Sequence, residues 1–255
     1  EKLMSRATAG HAASIGISGA LSFACADLLA GAFGWQSAFL VAAATAIMAW
    51  LLVALLVPRR TTPQPRAADG HALFDFRPVF RNRSAMAYAI AYCIHTLEMN
   101  ALRGWGVAFL AYVAISTGAE ARFSPTYVLT ALGLIGTAAS VLGNEAAIRW
   151  GRRRLITVAL LASIGVGGSI GFLGTLSYAV AVALLLIYGF VVWMDSSSLT
   201  AGAAGTAEPS RRGATLAVHS MLGYSGGFVG PLMIGYTLDL AGGMSRAAWG
   251  VAFML

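Results

Sequence analysis

Residues 7–39 read ATAGHAASIGISGALSFACADLLAGAFGWQSAF, and residues 214–253 read ATLAVHSMLGYSGGFVGPLMIGYTLDLAGGMSRAAWGVAF. Ala7-Thr8 followed by Gly16-x-Ser18-Gly19 returns as Ala214-Thr215 followed by Gly223-x-Ser225-Gly226, 207 residues on. Trp35-x-x-Ala38-Phe39 returns as Trp249-x-x-Ala252-Phe253, 214 residues on. Each copy opens an apolar stretch or runs through one. Apolar stretches that repeat at this spacing point to a membrane protein built from two similar halves.

Composition agrees. Hydrophobic residues make up 58% of the 255 and charged residues 11%, with a mean hydropathy of +0.74. A soluble domain carries roughly 25% charged residues. Apolar surface on this scale calls for lipid, and the run lengths oppose the alternative of a soluble protein of buried helices. The net charge of +7 is not the footprint of a nucleic-acid binder, because the basic residues sit in short clusters between apolar runs, as membrane orientation signals do. Cys25 and Cys93 fall inside apolar runs and make neither a disulfide framework nor a zinc site; buried packing is their expected role. No signal peptide is visible and the chain opens on Glu1, so a fragment is expected.

Seven segments are long enough to span a bilayer, near 8–32, 35–57, 84–115, 125–147, 155–174, 177–205 and 213–239, and an eighth begins near 247. Pro58 and Pro209 follow the second and sixth segments, where a regular helix could not hold them. Ser124-Pro125 reads as an N-cap with proline at the first helical position. Glycine clusters at Gly31–Gly34 and Gly242-Gly243 mark tight turns. If every segment spans, fourteen Lys and Arg residues share one side: Lys2, Arg6, six in the linker (Arg59, Arg60, Arg66, Arg77, Arg81, Arg83), Arg149, Arg152, Arg153, Arg154, Arg211 and Arg212. Only Arg122 and Arg246 lie opposite, with Arg103 inside the third segment. That bias places the linker in the cytoplasm. The linker, 58–83, is polar and contains proline. Its second half mixes aromatics with arginine, which suits either an interfacial segment on anionic headgroups or a plain tether.

The chain resembles the major facilitator superfamily, twelve-helix transporters made of two six-helix halves joined by a cytoplasmic loop. The repeat sets the register: Ala7 matches Ala214 six helices later, and Trp35 matches Trp249. The resemblance implies an all-α, polytopic membrane helix bundle, truncated, running from about the fifth helix to the start of the twelfth. Residues 1–57 would be the last two helices of the N-terminal half, 58–83 the linker, and 84–255 the C-terminal half with its last helix cut short. The family's loop signature, Gly-x-x-x-Asp-Arg-x-Gly-Arg-Arg, is matched at its end by Arg149-Trp150-Gly151-Arg152-Arg153. At its front Asn144 replaces the glycine and Ile148 the aspartate, and Glu145 is the candidate for the missing negative charge. Gly223, Gly226, Gly227, Gly230 and Pro231 resemble the glycine-proline pattern of family helices at the interface between halves, where small residues permit close contact.

Ionisable groups deep in lipid are costly and so are paired or functional. The third segment carries His95, Glu98 and Arg103. His95 and Glu98 share a face, with Trp105 on nearly the same stripe. The sixth segment carries Asp195, with Tyr188 seven before it and Ser198 three after. These seven residues are the candidate substrate and proton pathway. Glu98 and Asp195 would line a wet cavity and carry protons, His95 would relay them or bond Glu98, and Arg103 would hold an anion or neutralise a carboxylate. The competing reading is a buried polar network, Glu98 with Arg103 or His95, that fixes packing. In the family the seventh and tenth helices line the cavity, and these are where the charges fall. His11 and His219, a turn inside the cytoplasmic ends, suit ordinary hydrogen bonds better than metal ligation.

No nucleophile–base set, phosphate loop, metal motif or cofactor site is visible, and Gly165-x-Gly167-Gly168 lies inside a span. The implied function is secondary active transport of a small solute by alternating access, coupled to protons, in a bacterial inner membrane. The alternative is a non-transporting membrane protein of the same fold, a sensor or assembly partner. The implied partners are the bilayer, a small-molecule substrate, protons and the missing N-terminal helices. The 255 residues are not expected to transport alone.

Overall fold

The computed structural model describes residues 2–58, 75–119 and 123–254, and among these there are helices and turns but no strands. Arg59, Arg60, Arg66 and Arg122 lie outside the described residues, as do most of the linker and the side chain of His11. The helices are α1 (Lys2–Phe33), α2 (Gln36–Leu56), α3 (Arg77–Arg81), α4 (Arg83–Thr117), α5 (Pro125–Trp150), α6 (Arg152–Leu173), α7 (Tyr178–Trp193), α8 (Ser196–Thr206), α9 (Arg212–Leu240) and α10 (Arg246–Ala252).

The ends form where local chemistry requires them. Gly34 at φ 85° turns the chain between α1 and α2, and Gly151 at φ 93° does so between α5 and α6. Residues that carry a Cβ avoid these angles, which accounts for the glycine between Trp150 and Arg152. Pro125 stands in the first turn of α5, as expected, but Ser124 makes no capping bond; its hydroxyl lies 2.6 Å from Thr126 Oγ1.

One expected helix is two. The 177–205 segment breaks at Met194–Asp195 into α7 and α8. Among the described residues, five stretches are long and apolar enough to cross a membrane: Ala13–Phe33, Gln36–Leu56, Pro125–Trp150, Arg152–Leu176 and Tyr178–Thr206. The last runs through the break. α4 and α9 have 35 and 29 residues, ample for a core about 30 Å thick. Their apolarity is diluted by His95, Glu98, Asn100 and Arg103 in one and by glycines and small polar residues in the other.

Helix directions alternate as a series of spans demands. α1 packs antiparallel on α5, with Arg6 at Glu145, Gly16 at Thr137 and Ala20 at Gly133. α4 and α9, with three crossings between them (α5, α6 and the broken α7–α8), pack parallel. Gly223, Gly226, Gly227 and Gly230 lie against Tyr92, the Cys93 carbonyl, Asn100 and the Leu97 carbonyl. The glycine face of α9 therefore meets α4. Thr96 Oγ1 donates to the Gly223 carbonyl at 2.6 Å, and Trp105 Nε1 to that of Pro231 at 2.9 Å.

The core gathers Phe109, Leu110, Leu129, Leu185 and Trp249 between α4, α5, α7 and α10. No residue of α2 is buried, and its Trp50, Leu55 and Leu56 turn outward. An all-round apolar helix of this kind is solvated by lipid tails. Cys25, expected inside, is exposed on α1, while Cys93 is half-buried.

A Cβ at Gly226 would overlap the Cys93 carbonyl, and backbone cannot step aside as a side chain can. Gly226→Val is expected to lower stability by about 1–3 kcal/mol or more, read as an earlier thermal transition in detergent. Gly213→Ala, where a Cβ meets nothing within 4 Å, should shift it by less than about 0.5 kcal/mol.

Candidate functional site

Three ionisable side chains leave α4 in different directions. Glu98 turns toward α6 and α7, where its Oε1 accepts from the hydroxyls of Ser163 and Tyr188. Ser163 is a site residue that the sequence reading missed; a serine in an apolar run carries no signal until its partner is known. Glu98 and Trp105 line one cavity of about 390 Å³ with Ser163, Tyr188, Gly230 and Trp249. The stripe joining Glu98 to Trp105 thus faces a real space, bounded by α4, α6, α7, α9 and α10.

His95 does not meet Glu98. Its Nδ1 lies 3.0 Å from Asp195 Oδ1, with both side chains almost fully buried, at 2% and 3% exposure. The distance is that of an ion pair, but the alignment is not that of a straight ring N–H···O bond. We therefore treat the contact as electrostatic, at full strength when the imidazole carries both protons. Asp195 occupies the N-cap position of α8 without capping it. Its side chain sits at the positive end of that helix's dipole. Tyr188, on the far side of the break, serves Glu98 instead. Ser198 is fully buried and its Oγ has no hydrogen-bond partner.

The break is held from α5. Gly143 lets that helix touch the Met194 carbonyl, and Ser140 Oγ lies 2.5 Å from Ser197 Oγ. A second line of groups leads from His95 toward the N-terminal ends of α4 and α9. Tyr92 stacks on His95 at 5.8 Å and on His219 at 4.1 Å between ring centroids. His219 Nε2 lies 3.2 Å from Thr200 Oγ1, the ordinary hydrogen bond expected of it.

Arg103 pairs with neither Glu98 nor Asp195. It lies over the Trp193 ring, Cζ 4.9 Å from the centroid, beside Gly19 of α1. Trp193 also escaped the sequence reading; a tryptophan in an apolar run looks like core until a cation is found on its face. Near the N-terminus of α1 Arg6 donates twice to Glu145, at 2.8 and 2.9 Å. Glu145 thus ties α1 to α5, with Arg149 of the loop motif also acting on its charge. Arg149 closes the last turn of α5, Gly151 makes the turn, and Arg152 and Arg153 open α6. The groups of three or more His, Cys, Asp or Glu that hold metals do not occur among the described residues.

Removing His95 would leave Asp195 buried and unpaired. His95→Ala is expected to cost about 3–5 kcal/mol, read by thermal melting in detergent. His95→Ala with Asp195→Asn together should recover most of the loss, since no charge then remains to be desolvated. If the double variant melts as early as the single one, the pair is not an electrostatic unit.

Residues 1–231 match the family model described as Major Facilitator Superfamily. A protein of Agrobacterium vitis named "Putative tartrate transporter" is 25% identical over 250 residues, covering 88% of this chain and 54% of its own length. The chain spans about half the length of that curated relative.

Proposed function

The chain belongs to the major facilitator superfamily of multi-pass membrane transporters, and from that premise we propose that it moves a small solute by alternating access, coupled to protons. In this reading residues 1–57 are the last two helices of one half, 58–83 the cytoplasmic connection, and 84–255 the other half. The remaining helices of the first half complete the pathway, so the 255 residues alone do not transport. The membrane is the inner membrane of a bacterium.

The observation that carries the reading is the buried Asp195 at the broken span, facing His95. Discontinuous helices place substrate and ion sites near the bilayer midplane, where free backbone and helix ends are available. A carboxylate kept there at such cost is a functional group by default. Protonation of Asp195 would dissolve its attraction for His95 and loosen α4 from the α7–α8 break. Tyr92 and His219 mark a polar route toward the cytoplasmic end, and Glu98, bonded to Tyr188 and Ser163, is the second proton carrier.

Alternating access needs contacts that form on one side of the membrane only. Arg6–Glu145 joins α1 of the first half to α5 of the second at the cytoplasmic end. Both groups are solvent-facing, so their pairing energy is small, as a reversible latch requires.

Two measurements test the proposal, on protein expressed from its native gene and reconstituted in proteoliposomes. An inward acid gradient should drive accumulation of L-tartrate, the solute named for the relative, and Asp195→Asn or Glu98→Gln should reduce gradient-driven uptake to background. Full uptake by both variants would end the proton-coupling proposal. For the latch, Arg6→Glu should raise cytoplasmic labelling of a cysteine placed in the cavity, and Arg6→Glu with Glu145→Arg should restore the wild-type rate. Equal labelling in all three would rule it out.

A further inference from the structure

Arg103 and Trp193 bring two N–H donors together with nothing to accept from them. Arg103 Nη2 and Trp193 Nε1 are both shielded from solvent, and neither has a hydrogen-bond partner among the described residues. Trp193 is 5% exposed. The guanidinium rests on the indole face, so the two groups share one recess. Gly19 closes it from α1, where a Cβ would come within 2.9 Å of Nη2. Gly16 and Thr137, in contact with each other, set α1 and α5 against the rest of the indole.

The acids that could neutralise Arg103 are committed elsewhere. Glu98 accepts from Tyr188 and Ser163, Asp195 faces His95, and Glu145 holds Arg6. The recess therefore carries one uncompensated positive charge and two unused donors. Buried donors without acceptors are uncommon in folded proteins, and a desolvated cation without a counter-charge is rarer still. A water could accept a hydrogen bond here but could not balance the charge.

We propose that this recess is the anion-binding end of the solute site and that the solute is an organic carboxylate. The inference rests on the transport reading given above and adds the substrate class. One guanidinium balances one carboxylate, and its planar fork matches the two oxygens. The indole N–H supplies a further donor, and its ring face keeps water from the charged head. A phosphate brings more charge and more acceptor oxygens than two side chains can serve.

The test is binding by the purified, reconstituted protein expressed from its native gene, followed by thermal shift and calorimetry at fixed ionic strength. The probes are acetate, lactate, succinate, L-tartrate, citrate and benzoate, each against its neutral amide, with inorganic phosphate as a separate arm. At least one carboxylate should bind about tenfold or more tightly than its amide and than phosphate, the worth of one charge-assisted contact. Arg103→Gln should weaken that carboxylate by about ten- to a hundredfold, and Arg103→Lys by less, since it keeps the charge and loses the fork. Trp193→Phe, which keeps the ring and loses the N–H, should weaken it by about three- to tenfold. If Arg103→Gln elutes as aggregate, Arg103→Lys and Trp193→Phe decide the matter.

Binding no tighter for any carboxylate than for its amide, phosphate binding as well as the best carboxylate, or unchanged affinity in the folded variants would each overturn the proposal. Uptake of a neutral solute with no carboxylate binding would remove the anion site and leave transport standing. Arg103-dependent carboxylate binding without uptake would do the reverse.

Discussion

Lipid offers no hydrogen bonds, and that one fact governs the interior of this protein. Each charged group on α4 must find its partner inside the bundle. Glu98 takes two hydroxyls from α6 and α7, His95 takes a carboxylate from the α7–α8 break, and Arg103 takes an aromatic face. Three side chains within nine residues thereby fasten one helix to α6, α7 and the α7–α8 break. The first two arrangements close on themselves. The third does not, and its open valence is what gives the site a direction in which to bind.

The broken span and the glycine contacts belong together. Helices in a membrane gain little from burying apolar surface against one another, so close backbone approach and interhelical hydrogen bonds carry the association. Gly226 and Gly230 let α9 press on carbonyls of α4, and Gly143 lets α5 press on the carbonyl of Met194. That last contact lies where the ladder of α7 stops and α8 begins. A tight wall around an irregular piece of backbone keeps it away from lipid, where its free groups would be unsatisfied. Asp195 is therefore held in place by packing on one side and by His95 on the other.

Close approach also joins α1 to α5. α1 lies along α5 from Arg6 at one end to Ala20 midway, and among the described residues their ionic contact is Arg6–Glu145 at the exposed end. Deeper contacts between them are glycine, alanine and threonine, which slide more readily than interlocked large side chains. A pair of helices joined in this way can part at the end without unpacking the core formed by α4, α7 and α10.

Much of this was legible in the chain. The returning Gly-x-Ser-Gly and Trp-x-x-Ala-Phe patterns, the long apolar runs and the one-sided arginines fixed the class of fold, the order of the spans and the helix that carries the charges. They did so because a bilayer imposes length, apolarity and charge placement residue by residue. The sequence also marked Glu98 and Trp105 as sharing a stripe, since that follows from helical spacing alone. Which acid met which base could not be read: His95 found Asp195 rather than Glu98, and Glu145 found Arg6 of α1, because those pairings cross between helices whose rotations are set by packing. The break at Asp195, the role of Ser163 and the seat of Arg103 on Trp193 were likewise decided only in three dimensions, where a glycine on one helix determines how near another helix, and the charge it carries, can come.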